Sequence, residues 1–111
     1  MEPRLKPGIW IKALLMRLNA EFIPAVVVRS GDPDGGAVFL KINRFKDGCV
    51  VFNRSYGQDG EQLWAPATGD APVEETLADE YLSRQIKYDS DCWIIEIEDP
   101  GNKFSVADLV V

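Results

Sequence analysis

The sequence predicts a single α+β domain, an antiparallel β-meander of about four to five strands with two helices packed on one face of the sheet. Three observations support this prediction. Short apolar runs separated by turn-forming residues occupy the middle of the chain. One amphipathic helical pattern precedes these runs, and a second helical pattern with a further strand follows them. The 111 residues suffice for one domain with its own core, so we assign 1–111 to a single domain.

The first helix is predicted over 9–20, after a polar lead-in over 1–8 that ends in a Pro-Gly pair. One face of this helix is apolar, because positions spaced by three and four residues carry Ile11, Leu14, Leu15 and Leu18. The polar residues of this segment lie off that face. The helix is therefore expected to pack one side against the sheet.

A β-hairpin is predicted next, from two apolar runs on either side of the loop 30–36. The first run, 25–28, has no polar position, so we expect a strand in the middle of the sheet with both faces covered. The second run, 37–43, alternates in polarity. One of its faces is expected to carry Val38, Leu40 and Ile42, and the other Phe39, Lys41 and Asn43.

The remaining elements follow from the same kinds of signal. Two strands are predicted over 49–56 and 63–65, with a turn over 57–60 between them. A second helix is predicted over 72–87 with Asp70 as its N-cap, and a last strand over 92–98. The tail 103–111 contains several apolar residues and fits either a returning strand or a short helix.

The charge balance and the absence of histidine exclude several functions. The formal net charge is -6, from 18 acidic and 12 basic residues, and the sequence contains no basic run. This balance argues against binding to nucleic acid or to an anionic membrane surface. The lack of histidine excludes Ser-His-Asp and Cys-His catalysis and any histidine-based zinc site within this chain. No cofactor is predicted.

The cysteines and the N-terminus bear on the cellular compartment. Cys49 and Cys92 each begin an apolar run and are interpreted as buried free thiols, and whether they meet in space is left open. The N-terminus lacks the apolar core of a signal peptide, and the apolar runs are too short to span a membrane. We therefore expect a cytoplasmic protein.

Four aspartates form two Asp-x-Asp pairs in predicted loops, Asp32 with Asp34 and Asp89 with Asp91. Carboxylate oxygens are the ligands that Mg²⁺ and Ca²⁺ prefer, and Arg29 and Arg84 could complete a binding site nearby. The alternative is that each aspartate caps its own turn by accepting a hydrogen bond from a local backbone amide. The ligand-binding interpretation requires the two acidic loops to meet.

One face of the predicted sheet mixes apolar and charged residues and is left open by the helices. On that face, Lys41 and Asn43 can pair with Glu96 and Glu98 if their strands are neighbours. A half-apolar open face is a common docking surface for a partner. Trp64, in a short strand beside polar turns, is a further candidate for an interface.

These observations favour a protein-binding or regulatory module without catalytic activity. It would dock another protein, or a second copy of itself, through the mixed sheet face and Trp64. The alternative is a divalent-metal-dependent enzyme or small-ligand binder that uses the two acidic loops. Nucleic-acid binding would require four basic residues to share one face, namely Lys12, Arg17, Lys41 and Arg44.

Several segments between Trp10 and Asp99 carry a family resemblance: Trp10-Ile11-Lys12-Ala13, the run from Val27 to Ala37, Lys41-Ile42-Asn43, Tyr81 to Gln85, and Asp89 to Asp99. Together they resemble a bacterial family of unknown function, number 1491 in the domain-of-unknown-function series, found mainly in alphaproteobacteria. The resemblance implies a small bacterial cytoplasmic protein and supplies no activity. Cys92 stands where an aliphatic residue is expected, which indicates a packing role at that position.

Overall fold

The computed structural model describes residues 6–56, 58 and 62–109. In chain order its elements are α1 (Pro7–Ala20), β1 (Ala25–Arg29), β2 (Val38–Asn43), β3 (Cys49–Tyr56), β4 (Gln62–Pro66), α2 (Glu75–Tyr88) and β5 (Trp93–Glu98). Short 3₁₀ helices occur at Phe45–Asp47 and Val106–Asp108. The predicted α+β class, with two helices and five strands, is confirmed. The turn predicted over 57–60 lies largely outside the described residues.

The five strands form one mixed sheet in the order β1-β5-β2-β3-β4. Strands β2, β3 and β4 are consecutive antiparallel neighbours, so the predicted meander is present for these three. Strand β5 lies between β1 and β2, antiparallel to β1 and parallel to β2. The hairpin predicted around the loop 30–36 is therefore wrong, because its two strands are separated by β5. The parallel pair arises because the chain returns through α2, and such a crossover brings β5 back in the same direction as β2.

The first core lies between α1 and one face of the sheet. It contains Val38, Leu40 and Ile42 of β2, which were predicted to share one face, together with Trp93, Ile95 and Ile97 of β5. From α1 it receives Trp10, Ile11, Leu14 and Leu18. The tail also packs here, because Phe104 and Leu109 are buried in the same cluster on either side of the second 3₁₀ helix. Of the two structures left open for the tail, the short helix is the one that forms.

The second core lies on the opposite face, where Ala78 and Leu82 of α2 pack against the sheet. The strand residues of this core are Phe39, Cys49, Val51 and Ile94, with Cys92 at the start of β5. The helices therefore cover opposite faces, and the prediction that both pack on one face is wrong. The mixed face of β2, predicted to be an open docking surface, is covered by α2, and Lys41 and Asn43 are buried there. The physical reason is that β2 and β5 carry apolar side chains on both faces, so a one-sided cover would leave Phe39 and Ile94 in water.

Strand β1 lies at the edge of the sheet, not in the middle as predicted. Its side chains alternate between half-buried and exposed, and Val26 and Val28 are 58% and 57% exposed. Both valines point to the face that carries α2, since Ala25 and Val27 pack into the α1 core. The apolar run from 25 to 28 is therefore covered on one face only.

The second helix begins at Glu75, three residues later than predicted, and its N-cap position is Glu74 rather than Asp70. Val73 is held in an extended conformation by two backbone hydrogen bonds with Cys49. The Cys49 amide donates to the Val73 carbonyl at 2.7 Å, and the Val73 amide donates in return at 2.9 Å. This short bridge holds the residues before α2 against β3, so the helix begins only after Val73 and Glu74.

The two cysteines are buried, free and far apart. Cys49 pairs in register with Asn43, which in turn pairs with Glu98 at the end of β5. Cys92 precedes the first residue of β5. Cys49 is therefore level with one end of β5 and Cys92 with the other. These two ends are about six residues, or roughly 20 Å, apart, so the thiols do not meet.

Candidate binding site

The residue at the centre of the candidate site is Lys41, on the middle strand β2. Its side chain is buried, with the whole residue only 4% exposed. The ammonium nitrogen lies 2.7 Å from Oε2 of Glu75, 2.8 Å from Oδ1 of Asp79 and 3.3 Å from Oε1 of Glu96. One buried cation is thus surrounded by three carboxylates from two elements.

The fold brings these four residues together in two ways. Lys41 and Glu96 are register partners in the parallel β2–β5 pair, so their side chains lie side by side on the α2 face. Glu75 and Asp79 are four residues apart on α2 and therefore share the face of the helix that meets the sheet. The predicted pairing of Lys41 with Glu96 is present, whereas the two helical carboxylates were not anticipated.

The electrostatics of the cluster keep Lys41 charged. Burial alone would lower its pKa, but the hydrogen bonds to Asp79 and Glu75 and the nearby charge of Glu96 outweigh that effect. The net result is a pKa above the ordinary value of a lysine. Lys41 is therefore a fixed cation at neutral pH and not a nucleophilic amine.

The cluster carries more negative than positive charge. Three carboxylates face one ammonium group, which leaves an excess of two negative charges when all are ionised. The side chains of Glu75 and Asp79 are 54% and 56% exposed, so this excess reaches the surface. The site can therefore attract a cationic group of a ligand at its rim.

Asn43 lies two residues after Lys41 on the same face of β2, and it holds two carboxylates of the cluster in place. Its amide nitrogen donates to Oε2 of Glu75 at 3.2 Å and to Oε2 of Glu96 at 3.4 Å. Its carbonyl oxygen accepts from the backbone amide of Phe45 at 2.8 Å and from the Cys49 thiol at 3.6 Å. Asn43 thus connects the carboxylates to the loop that follows β2.

A surface groove runs from this cluster towards the edge strand β1, and we call it the Lys41 groove. It has a volume of about 410 Å³. Its lining consists of Val28, Lys41, Glu75, Asp79, Leu82, Ser83, Ile86, Ile94 and Glu96. One end is acidic, and the remainder is largely apolar, with Val28 and Ile94 supplied by the sheet and Leu82 and Ile86 by the helix.

The two acidic loops meet at the other end of β5. The Asp32 amide donates to the Asp91 carbonyl at 3.0 Å, and the Trp93 indole donates to the Asp32 carbonyl at 2.8 Å. Arg29 donates to the Ser90 carbonyl at 2.8 Å rather than pairing with a carboxylate there. The loops are therefore joined through their backbones.

Three of the four aspartate side chains in these loops have partners within the protein. Oδ1 of Asp32 accepts from the amide of Asp34, and Oδ1 of Asp89 accepts from the amide of Asp91, both at 3.0 Å. The carboxylate of Asp34 forms an exposed ion pair with Lys6 at 3.1 Å. Within residues 6–56, 58 and 62–109, no three His, Cys, Asp or Glu side chains are grouped so as to hold a metal ion.

The remaining candidate residues are dispersed over the surface. Trp64 is half-buried, and its ring stacks on Trp10 of α1 at 5.5 Å between centroids. Arg84 is exposed on α2, and Glu98 is exposed at the far end of β5. The basic residues of α1 lie across the sheet from Lys41, so the four residues required for a basic nucleic-acid face do not share one.

Sequence reasoning overlooked Glu75 and Asp79. A signal was available, because a lysine at an alternating position of a strand between apolar neighbours requires acidic partners once that face is covered. Acidic residues four apart at the start of a predicted helix were suitable partners. The sequence did not indicate that this helix would lie across β2.

Among the described residues, neither helix is long and apolar enough to cross a membrane.

Comparisons with known proteins identify the relatives of this chain. No protein with a curated description matches it. The crystal structure of a DUF1491 family protein from Caulobacter crescentus CB15 is 33% identical, with 87% of this chain and 90% of that chain covered and a TM-score of 0.78. An NMR structure of a DUF1491 family protein from the same organism is 32% identical, with 90% of each chain covered and a TM-score of 0.76.

A protein from Agrobacterium tumefaciens has a solution structure with the same fold, at 23% identity and a TM-score of 0.77, covering 97% of this chain and 93% of that chain. The family model for the protein of unknown function DUF1491 matches residues 5–106. This match spans nearly all the elements described above, including every residue of the Lys41 groove. It confirms the resemblance drawn from the sequence, and the chain belongs to the DUF1491 family.

Proposed function

We propose that this protein is a non-catalytic binding module that docks an extended segment of another protein in the Lys41 groove. The segment carries apolar side chains and at least one lysine or arginine. The observation that carries this proposal is the excess of negative charge around Lys41 at the end of a groove that is otherwise largely apolar. A regulatory role would follow from binding alone.

Charge complementarity supports the basic residue of the segment. Glu75 and Asp79 each give one carboxylate oxygen to Lys41, and both side chains remain more than half exposed. A lysine or arginine of the partner can therefore approach from solvent and form charge-assisted hydrogen bonds. Such pairs steer association and select against acidic partners.

The edge strand supports an extended conformation of the segment. No strand within the described residues pairs with the outer side of β1. An added strand would gain backbone hydrogen bonds there, which is a common mode of peptide recognition. Its side chains on the α2 face would cover Val26 and Val28, which are otherwise exposed.

Two buried free thiols suit a reducing compartment, so we include a cytoplasmic location in the proposal. We infer no role in nucleic-acid binding, because the net charge is -6 and the groove itself is acidic.

The proposal can be tested with a displayed library of extended peptides about seven residues long. Binders should combine alternating apolar residues with at least one basic residue. Val28→Asp should weaken the selected binders at least about tenfold, since it places a charge on the apolar lining. The matched control is Met16→Asp, which changes another exposed apolar residue, on α1 and away from the groove, and should leave affinity unchanged.

Asp79→Asn tests whether the bound segment uses a lysine or arginine. It should weaken peptides with lysine or arginine and leave their alanine-substituted versions unaffected. A library that yields no basic-apolar binders, or binders that tolerate Val28→Asp as well as they tolerate Met16→Asp, would overturn the proposal.

A divalent-cation or small-ligand site at the acidic loops is the second candidate, because the two loops meet through the Asp32–Asp91 hydrogen bond. A ligand at a hundredfold its dissociation constant adds about 2.7 kcal/mol to the free energy of unfolding. Thermal unfolding with Mg²⁺ and Ca²⁺ tests it directly. A rise in Tm that is lost in Asp91→Ala would favour this candidate, and an unchanged Tm would leave Asp32 and Asp89 with their role as turn caps.

A further inference from the structure

A second surface feature lies where α1 ends, at Phe22. The chain leaves α1 by a motif in which the amide of Ile23 donates to the carbonyl of Leu18 at 2.9 Å, and the amide of Phe22 donates to the carbonyl of Asn19 at 3.1 Å. This motif requires a left-handed residue, usually glycine, at the position of Phe22. Phe22 has φ +61° and is 90% exposed. A bulky residue thus occupies a strained position while burying almost nothing.

Phe45 repeats this combination in the loop after β2. It has φ +58° and is 54% exposed. Its backbone is held in place by the hydrogen bond from its amide to the side chain of Asn43 at 2.8 Å. Left-handed backbone is rare for bulky residues, and local strain of this kind tends to occur where a surface is used for binding.

The two phenylalanines line the same groove, which we call the Phe22 groove. It has a volume of about 390 Å³ and shares no lining residue with the Lys41 groove. Pro24 and Pro100 add apolar surface, and Glu98 and Lys103 add one charge of each sign. Neither of these two charged side chains forms an ion pair within the described part of the chain.

We propose that the Phe22 groove is the interface between two copies of this chain related by a twofold axis. A twofold interface uses the same patch on both copies, so it must be complementary to itself. This patch meets that requirement, because it offers a projecting ring, a groove to receive the ring, and unpaired charges of opposite sign. Phe22 of each copy enters the groove of the other, and Glu98 of each copy pairs with Lys103 of the other.

Sedimentation equilibrium of the full chain tests the proposal, from about 10 µM to about 1 mM, where small interfaces associate. The unmodified chain should form a reversible dimer within this range. Phe22→Gly should raise the dissociation constant at least about tenfold without lowering Tm, because glycine relieves the left-handed strain. Met16→Ala is the matched control, since it removes another exposed apolar side chain and should leave the dimer unchanged.

A charge exchange distinguishes this interface from nonspecific association. Glu98→Lys alone and Lys103→Glu alone each place like charges opposite one another and should weaken the dimer. The double variant Glu98→Lys with Lys103→Glu should restore it, because the pairing is only reversed. Val28→Asp, the variant that tests the Lys41 groove, should leave the dimer intact, so the two proposals fail independently. A chain that stays monomeric throughout the range, or a double variant that does not recover, would overturn this inference.

Discussion

The ammonium nitrogen of Lys41 on β2 lies 2.8 Å from a carboxylate oxygen of Asp79 on α2. The two residues are 38 positions apart in the chain, and their contact joins the second helix to the middle of the sheet. Lys41 is nearly inaccessible to solvent at this point, whereas Asp79 is not. Removing the charge of Lys41 should therefore destabilise the protein more than removing the charge of Asp79.

We expect Lys41→Met to lower the free energy of unfolding by about 2–4 kcal/mol, because it leaves three carboxylates without their shared cation. Asp79→Asn should cost about 1 kcal/mol or less, since Lys41 keeps Glu75 and Glu96 and the asparagine stays solvated. Urea unfolding near neutral pH measures both values. Equal losses for the two variants would contradict the assignment of Lys41 as the centre of the cluster.

Burial raises the pKa of Cys49 and of Cys92 above the ordinary value of a thiol. The unfolded chain therefore loses these protons first as the pH rises. Their contribution to stability is complete below about pH 8.5 and decreases above it, by up to about 1.4 kcal/mol per pH unit for each thiol. Urea unfolding at a series of pH values from about 7 to about 10 should show the free energy of unfolding falling with pH.

The matched control for this pH dependence is the double variant Cys49→Ala with Cys92→Ala. Its stability should be nearly constant between about pH 8.5 and about pH 9.5, and should fall only where Tyr81 and Lys41, whose pKa values are also raised, begin to contribute. The same slope in both proteins across that interval would argue against a thiol origin.

Because the two acidic loops approach each other closely, we predict that alanine destabilises the protein at Gly31 but not at Gly35. A Cβ atom on Gly31 would overlap the carbonyl oxygen of Asp91, whereas a Cβ on Gly35 would have Oδ2 of Asp32 at 3.7 Å as its nearest neighbour. Gly31→Ala should therefore destabilise the protein by about 2 kcal/mol or more. Gly35→Ala should stay within about 0.5 kcal/mol of the unmodified chain.

Tryptophan fluorescence adds a local readout to this comparison, because the indole of Trp93 donates to the carbonyl of Asp32 in the same contact region. Gly31→Ala should shift the emission of the folded protein, and Gly35→Ala should not. A Gly31→Ala variant with unchanged stability and emission would show that the loops are not packed against each other.

Asp99 attaches the C-terminal segment to the end of β5. Its side chain is buried and accepts hydrogen bonds from the backbone amides of Lys103 at 2.8 Å and Phe104 at 2.9 Å. Asp99→Ala should cost about 2–4 kcal/mol, because two charge-assisted hydrogen bonds are lost and two amides remain unpaired. Hydrogen exchange at the Phe104 amide should accelerate more than exchange in α2. Uniform acceleration throughout the protein would instead indicate global destabilisation.

Much of the sheet could be predicted from local patterns. The alternation of β2 correctly separated Val38, Leu40 and Ile42 from Phe39, Lys41 and Asn43, because side-chain direction in a strand depends only on sequence parity. The position of β1 could not be obtained in the same way. An apolar run predicts burial but does not indicate how many neighbours a strand has, and Val26 and Val28 are in fact exposed.

The candidate site was predicted only in part, for a related reason. Lys41 and Glu96 lie side by side because each was predicted to lie on the mixed face of its strand, and β2 and β5 are neighbours. The contributions of Glu75 and Asp79 depend on where a helix lies over the sheet, and that placement results from the packing of Ala78 and Leu82 against distant residues. Short-range patterns carry no information about such packing.

The position of β5 has a consequence for biosynthesis. It is the last of the five described strands to be made, yet it occupies the place between β1 and β2, so those strands have no neighbour on that side until β5 arrives. Until then, the nascent chain exposes unpaired apolar strand edges, which are templates for association with other chains. Folding must therefore wait for contacts between distant parts of the chain, and we expect it to be slow for a domain of this size. Chains that terminate before residue 92 would be prone to aggregate.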